Sequence, residues 1–282
     1  MLQTQLKPPG LFLPALLFLL VMSLVEGVVF AYKQALFSEQ RLEALAFAAD
    51  LRARSERELA RVLQLTSGLT GYFAVNSDRP EPQEIQDILR LVYETGPTSL
   101  RNLGLAKGYK LTYVYPAERN RPAIGLDYRE LEVQWPAVER AIETRKPQLS
   151  ELVDLVQGGQ AFIYRDPIYV DDTYWGLLST VVDAKPLLED MFGGSVNRHY
   201  KFAVRSLNHD QPKSLWGDQA LFQYPVKVIT QSDRGWEYVV CPVESESHWL
   251  PVFMLRILGW ILALIAVLFS YSSVMGYRRE VL

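Results

Sequence analysis

Residues 161–182, AFIYRDPIYVDDTYWGLLSTVV, decide the fold. Aromatic and β-branched side chains crowd both arms, and Asp171-Asp172 stand between them. Such residues suit a pleated, half-buried surface, whereas paired aspartates favour a turn. The stretch predicts two strands, Ala161–Arg165 and Tyr174–Val182, turning back through the aspartates. Upstream, Leu111–Tyr115 reads as a strand ended by Pro116, with a polar loop, Glu118–Pro122, after it. Trp135–Thr144 carries Pro136 in its first turn and reads as a short helix. Downstream, Ala184–Phe192 reads as a helix ended by Gly193-Gly194. Tyr200–Ser206, Tyr224–Thr230 and Trp236–Cys241 read as strands of a smaller sheet, with Asp233-Arg234-Gly235 as a hairpin turn.

Helical patterns precede this body. Between about Phe37 and Asn76, Phe47, Leu51, Leu59, Val62, Leu69 and Phe73 recur at near-helical spacing and make one apolar face. A heptad frame through Leu42, Leu45 and Ala49 meets Arg52 and Glu56 at core positions, which argues against a long uninterrupted coiled coil. A stalk helix that packs on the body or on a second subunit fits better. Asp78, Pro80 and Pro82 break it. Pro82-Gln83-Glu84 then starts a helix with Ile85, Ile88, Leu89 and Val92 on one face.

Two apolar runs flank the middle of the chain. Leu11–Ala31 (LFLPALLFLLVMSLVEGVVFA) and Pro251–Tyr277, with an unbroken centre Ile257–Phe269, are each long enough for a hydrocarbon core of about 30 Å. The first run exceeds the apolar stretch of a cleaved signal peptide and leads straight into the stalk pattern, so it reads as an uncleaved anchor. Lys7, Arg278 and Arg279 place both ends in the cytoplasm and residues 33–250 outside. Glu26 is either an intramembrane acid of functional weight or an interface residue near the outer end. Arg256 falls near the outer interface, where its side chain reaches water.

The 282 residues are 49% hydrophobic and carry a net charge of −3, with no concentrated Lys/Arg block, which argues against nucleic acid as a partner. Cys241 is the single cysteine, so no intrachain disulfide forms; beside Val239 and Val240 it reads as a small buried side chain. His199, His209 and His248 share no metal spacing, and no nucleophile elbow, phosphate loop or metalloprotease motif occurs. Neither an enzyme nor a cofactor is expected.

Across residues 99–183 the chain resembles the CHASE domain, the extracellular sensor module of many bacterial and plant signalling receptors. The resemblance is carried, in order, by Arg101–Pro116 (RNLGLAKGYKLTYVYP), Gly125-Leu126-Asp127-Tyr128, Glu143–Ser150 (ETRKPQLS), Leu155–Tyr169 (LVQGGQAFIYRDPIY) and Tyr174–Asp183 (YWGLLSTVVD). It implies an α+β fold: a long stalk helix and two PAS-like α/β units between two transmembrane helices. The expected boundaries are a cytoplasmic start 1–10, a membrane helix 11–32, the stalk 33–77, a membrane-distal ligand-binding unit 78–183, a membrane-proximal unit 184–248, a membrane helix 251–277 and a cytoplasmic tail 278–282.

In plant members of that family an aspartate holds an adenine-type cytokinin, and the resemblance places it at Asp127. Thr144 and Leu149 fall where members line the same pocket. Gln157 stands where a pocket threonine is expected, and Arg145 replaces a usual glycine, so an adenine-like ligand is one option among small molecules. By local chemistry, a buried Asp127 needs hydrogen-bond donors, which a ligand would supply; otherwise the residue is a solvated loop acid or a helix cap. Tyr113 and Phe162, with Tyr164 and Trp175, offer either ring-stacking walls or ordinary core. Gly158-Gly159 allows either close approach to a ligand or a tight turn.

The resemblance implies a two-pass protein of the cell inner membrane with its sensor in the periplasm, working as a homodimer. Family members commonly carry an output unit beyond the second membrane helix. Only residues 278–282 follow it here, so the chain is expected to sense and transmit. The alternatives are the input portion of a larger histidine kinase or diguanylate cyclase, and a regulatory subunit of a separate cytoplasmic or membrane signalling protein.

Overall fold

The computed structural model describes residues 12–77, 80–155, 158–195, 197–208, 211–243 and 249–280. Lys7, Asp78, Gln157, His209 and His248, which entered the reading above, lie outside the described residues. The elements run in the order α1 (Phe12–Val75), α2 (Pro82–Thr95), β1 (Leu100–Lys107), β2 (Lys110–Tyr115), α3 (Ala117–Asn120), α4 (Trp135–Thr144), β3 (Gln148–Leu149), β4 (Val153–Asp154), β5 (Gln160–Val170) and β6 (Thr173–Asp183). They continue with α5 (Ala184–Phe192), β7 (Tyr200–Ser206), β8 (Lys213–Trp216), β9 (Val228–Gln231), β10 (Trp236–Pro242) and α6 (Trp249–Glu280). The chain divides into two compact units, one made of Met1–Ala46 with Pro242–Leu282 and the other of Phe47–Cys241.

Within the second unit the larger sheet has the order β2-β1-β6-β5-β3, with β4 also on β5. Its spine is the β5–β6 hairpin. Asp171 and Asp172 turn it at φ of 46° and 63°, a left-handed conformation that aspartate tolerates better than most residues. Side chains alternate between faces along a strand. Leu103, Leu105, Ile168 and Leu178 therefore share one face, packed on Leu69 and Phe73 of α1 and Ile85 and Leu89 of α2. Ala106 and Leu177 share the other, packed on Tyr128 and Val138 of the segment 117–147. The sheet is thus covered by helices α1 and α2 on one side and by this connecting segment on the other.

The apolar face read along the stalk is observed: Leu51, Leu59, Val62, Leu69 and Phe73 are buried. Phe47 stacks near Tyr200 and packs edge-on to Phe202, ring centroids 6.1 and 5.8 Å away. The smaller sheet, β8-β7-β10-β9, encloses Ala203, Leu221, Phe222, Val239 and Cys241. Cys241 is buried, as its neighbours predict. A hydrogen bond between Ser55 and Tyr238 ties α1 to β10.

Three readings need correction. Glu118–Pro122 is not a loop: α3 occupies Ala117–Asn120 and a 3-10 turn Arg121–Ala123. Ala, Glu and Arg are good helix formers, and the Asn120 amide anchors the turn on the Pro116 carbonyl at 2.7 Å. Tyr224–Thr230 becomes strand only at Val228, because Pro225 has no N–H to give a ladder. β5 does not stop at Arg165 but runs through Pro167. Pro167 pairs with Leu177 on the β6 side, while β3 pairs no farther than Arg165, so the missing N–H costs no ladder bond.

In the first unit, α6 and the N-terminal part of α1 are apolar and long enough to cross a membrane. Arg256 donates two hydrogen bonds to the Glu26 carboxylate at 2.9 and 3.0 Å. Gly259 faces Val25 so closely that an added Cβ would lie 2.5 Å from its Cγ1. A small residue here lets the two backbones approach.

Candidate functional site

The face of the larger sheet under the segment 117–147 carries polar groups where a core is expected. Ser179 pairs with Gly104 on one side and Arg165 on the other, so the three project to the same face. Tyr128, at the start of a 3-10 turn, reaches down from the cover, and its hydroxyl lies 2.9 Å from that of Ser179. Gln134, just before α4, accepts a hydrogen bond from Nη2 of Arg165 at 3.1 Å. Beside them the Asn102 amide donates to Asn120 at 3.1 Å.

Arg165 is the unusual member. The residue is only 2% exposed, and its Nε and Nη1 have no hydrogen-bond partner. Among the described residues no acid forms an ion pair with it. Asp166, next in sequence, points to the other face and accepts from the Thr70 hydroxyl of α1 at 2.8 Å. Burial pushes the Arg165 guanidinium below its usual pKa, against an opposing pull from Tyr128. Burial likewise raises the Tyr128 phenol, partly offset by Ser179 and Arg165, and raises the Asp166 carboxyl, partly offset by Thr70. An isolated buried charge is costly, and an anion with hydrogen-bond acceptors relieves it.

The residues singled out from the sequence do not converge. Asp127 is buried, at 5% exposure, and caps the 3-10 turn Tyr128–Glu130. Its carboxylate accepts from Arg129 through the backbone N at 3.0 Å, Nε at 2.9 Å and Nη2 at 2.6 Å. The side-chain bond to Arg129 leads the causes that hold its pKa down to about 2, against desolvation. The donors thus come from its own chain, in the helix-cap arrangement. Thr144 ends α4, where its exposed hydroxyl donates to the Arg140 carbonyl at 2.6 Å.

Tyr113 pairs with Leu105 and packs with the α1–α2 cluster, on the face opposite Arg165. Leu149 pairs with Tyr164, also on that opposite face. Phe162 is buried there as well, 5.6 Å from the Trp236 ring. Gln157 lies outside the described residues. Arg145, standing where family members have glycine, takes the left-handed C-cap of α4 at φ 53°. Its guanidinium lies over Tyr169, 4.8 Å from the ring centroid, and reaches Asp172 at 2.7 Å.

Reasoning from the sequence missed Arg165, Gln134 and Ser179. The signal was there: an arginine inside AFIYRDPIYV, in phase with Ile163 and Pro167. The predicted strand ended at Arg165, whereas the observed one continues to Val170 and buries it.

The family model of the CHASE domain matches residues 31–216. No curated protein matches the sequence. Among solved structures, the chain is similar to the ligand-binding domain of the Campylobacter jejuni chemoreceptor Tlp3 in complex with L-norvaline, at 10% identity and a TM-score of 0.52, covering 74% of this chain and 92% of that one. It is similar to the ligand-binding domain of the Pseudomonas aeruginosa PAO1 amino acid chemoreceptor PctB in complex with L-Arg, at 12% identity and a TM-score of 0.51, covering 77% and 98%. An extracellular ligand binding receptor from Desulfohalobium retbaense aligns at 12% identity and a TM-score of 0.50, covering 69% of this chain; the chain spans 40% of that protein's length. At these identities the likeness is one of fold.

Proposed function

This chain belongs to the CHASE domain family, and from that premise we propose that it is an extracytoplasmic receptor that binds a small molecule between its larger sheet and the segment 117–147. The observation that carries the proposal is the meeting of Tyr128 and the half-buried Gln134 from the cover with Ser179 and Arg165 from the sheet, Tyr128, Ser179 and Arg165 being buried. Polar groups in such a layer need partners, and convergent polar groups in an otherwise apolar setting are the usual make-up of a ligand site. The Tlp3 and PctB domains were solved with amino acids bound, so free amino acids are the first compounds to try here. Adenine derivatives come second, on the strength of the family's plant members.

In this reading residues 78–183 form the membrane-distal ligand unit and 184–248 the membrane-proximal one. Residues 33–250 lie in the periplasm of a two-pass inner-membrane protein, paired with a second copy along the stalk. Binding acts on the membrane helices through differential affinity for two arrangements of the sensor. That α1 is one helix from Phe12 to Val75 supports a mechanical route of this kind. A second reading, an input portion that drives a histidine kinase or diguanylate cyclase, or a separate signalling protein, draws on α6 remaining helical to Glu280, past its apolar span.

The test uses the full chain in mild detergent. Melting temperature is followed with each free amino acid and adenine derivative, because a ligand of the native state raises it. Single cysteines at Leu258–Leu268, in a Cys241→Ser background, then report crosslinking between copies with and without the compound that binds. A shift in crosslinking is expected; an unchanged pattern at saturation rules out transmission through α6.

A further inference from the structure

We infer that the ligand is a small carboxylic acid whose carboxylate is held by the guanidinium fork of Arg165, a conclusion that rests on the sensor reading above. Gln134 engages only Nη2, leaving Nε and Nη1 unbonded. A guanidinium presents two edges, each a pair of parallel N–H groups that share Nη2. Whichever Nη2 hydrogen Gln134 takes, one complete edge stays without a hydrogen-bond partner, a pattern that two coplanar acceptors would complete. A carboxylate fits that edge with both oxygens.

The surroundings favour an acceptor too. Tyr128 and Ser179 share one hydrogen bond, so whichever hydroxyl accepts still has its own hydrogen to donate. The acids nearest in sequence are committed elsewhere: Asp127 to Arg129, Asp166 to Thr70. A neutral carbonyl would satisfy one N–H and leave the buried charge uncompensated, whereas an acid satisfies both. Phosphate brings more charge and more oxygens than this one cation and its neutral neighbours match. Nothing in the cluster calls for an ammonium group, so the site specifies the acid and not an amine.

The experiment measures binding to the full chain in detergent by melting shift and calorimetry, with three sets of probes. The first is the free L-amino acids with small hydroxy and dicarboxylic acids; the second, the primary amides of the same compounds with adenine derivatives; the third, sodium phosphate. A member of the first set is expected to bind, with its amide weaker by about a hundredfold or more. Arg165→Gln and Arg165→Met are expected to lose that binding while melting, unliganded, no lower than wild type. Should Arg165→Met fail to fold, Arg165→Lys keeps the charge without the fork and is expected to bind the acid at least about tenfold more weakly. Amides or adenines binding as tightly as acids, phosphate as the one binder, or wild-type acid affinity in Arg165→Gln would each overturn the carboxylate and leave the sensor standing. If no probe in any set binds, the sensor reading falls with it.

Discussion

Arg165 and Asp166 are consecutive in β5, yet each is buried on its own side of the sheet and neither neutralises the other. The guanidinium lies with Gln134 under the cover, and the carboxylate accepts from Thr70 of the stalk helix. The two-residue period of a strand enforces the separation. Placing both charged groups in the sheet lowers stability, and it puts the candidate ligand face one peptide away from the contact with α1.

Removing the cationic charge should therefore stabilise the empty protein. Arg165→Met keeps most of the volume and is expected to raise unfolding free energy by about 1–3 kcal/mol, read by urea melts. A lower midpoint would mean that the guanidinium has a counter-charge.

The pH dependence of Asp166 has a definite sign. Its folded pKa is raised, first by burial, so folding favours the protonated form. Its stabilising effect is complete below the ordinary carboxylate pKa of about 3.9 and is lost as pH rises through the folded value. Asp166→Asn still accepts from Thr70, and is expected to stabilise the protein at pH 7, with the gain fading toward pH 4. An equal gain at both values would show that no shift exists.

Asp127 behaves in the opposite way. With its folded pKa at about 2, its contribution is present above the ordinary carboxylate value and lost as pH falls through 2. Carboxyl NMR titration should give a midpoint near 2, returning toward the ordinary value in Arg129→Ala. A midpoint near 4 in the wild type sinks the assignment.

At the C-cap of α4, Arg145→Gly and Arg145→Ala both lose the exposed pair with Asp172, which is worth little. Glycine relieves the left-handed backbone and alanine does not. The glycine variant should be more stable than the alanine variant by about 1 kcal/mol, compared by thermal melts.

Glu26 and Arg256 pair between the two apolar helices. Glu26→Gln or Arg256→Gln should lower the yield of folded protein in detergent, and the exchange Glu26→Arg with Arg256→Glu should restore part of it. No rescue by the exchange would mean that the pair is incidental.

Much of the architecture was legible because it is written in near neighbours. Proline at the start of α2 and α4, aspartates at the β5–β6 turn and the period of Leu51, Leu59, Val62, Leu69 and Phe73 are each effects within a few turns of chain. The candidate site was not legible in that way. Tyr113 and Phe162 had the composition of pocket walls, but strand parity turned them toward α1 and the second sheet.

By itself, then, the sequence determined helices α1, α2, α4 and α5, strands β2, β6, β7 and β10 with the first half of β5, the two apolar runs and the family, because periodicity, turn chemistry and motif order depend on residues close along the chain. Only the tertiary structure decided that Arg165 is buried with unused donors. The cover reaches the sheet across 31 residues from Gln134 to Arg165 and 51 from Tyr128 to Ser179. Whether a buried charge is neutralised depends on which distant segments close over it, and no local pattern carries that information.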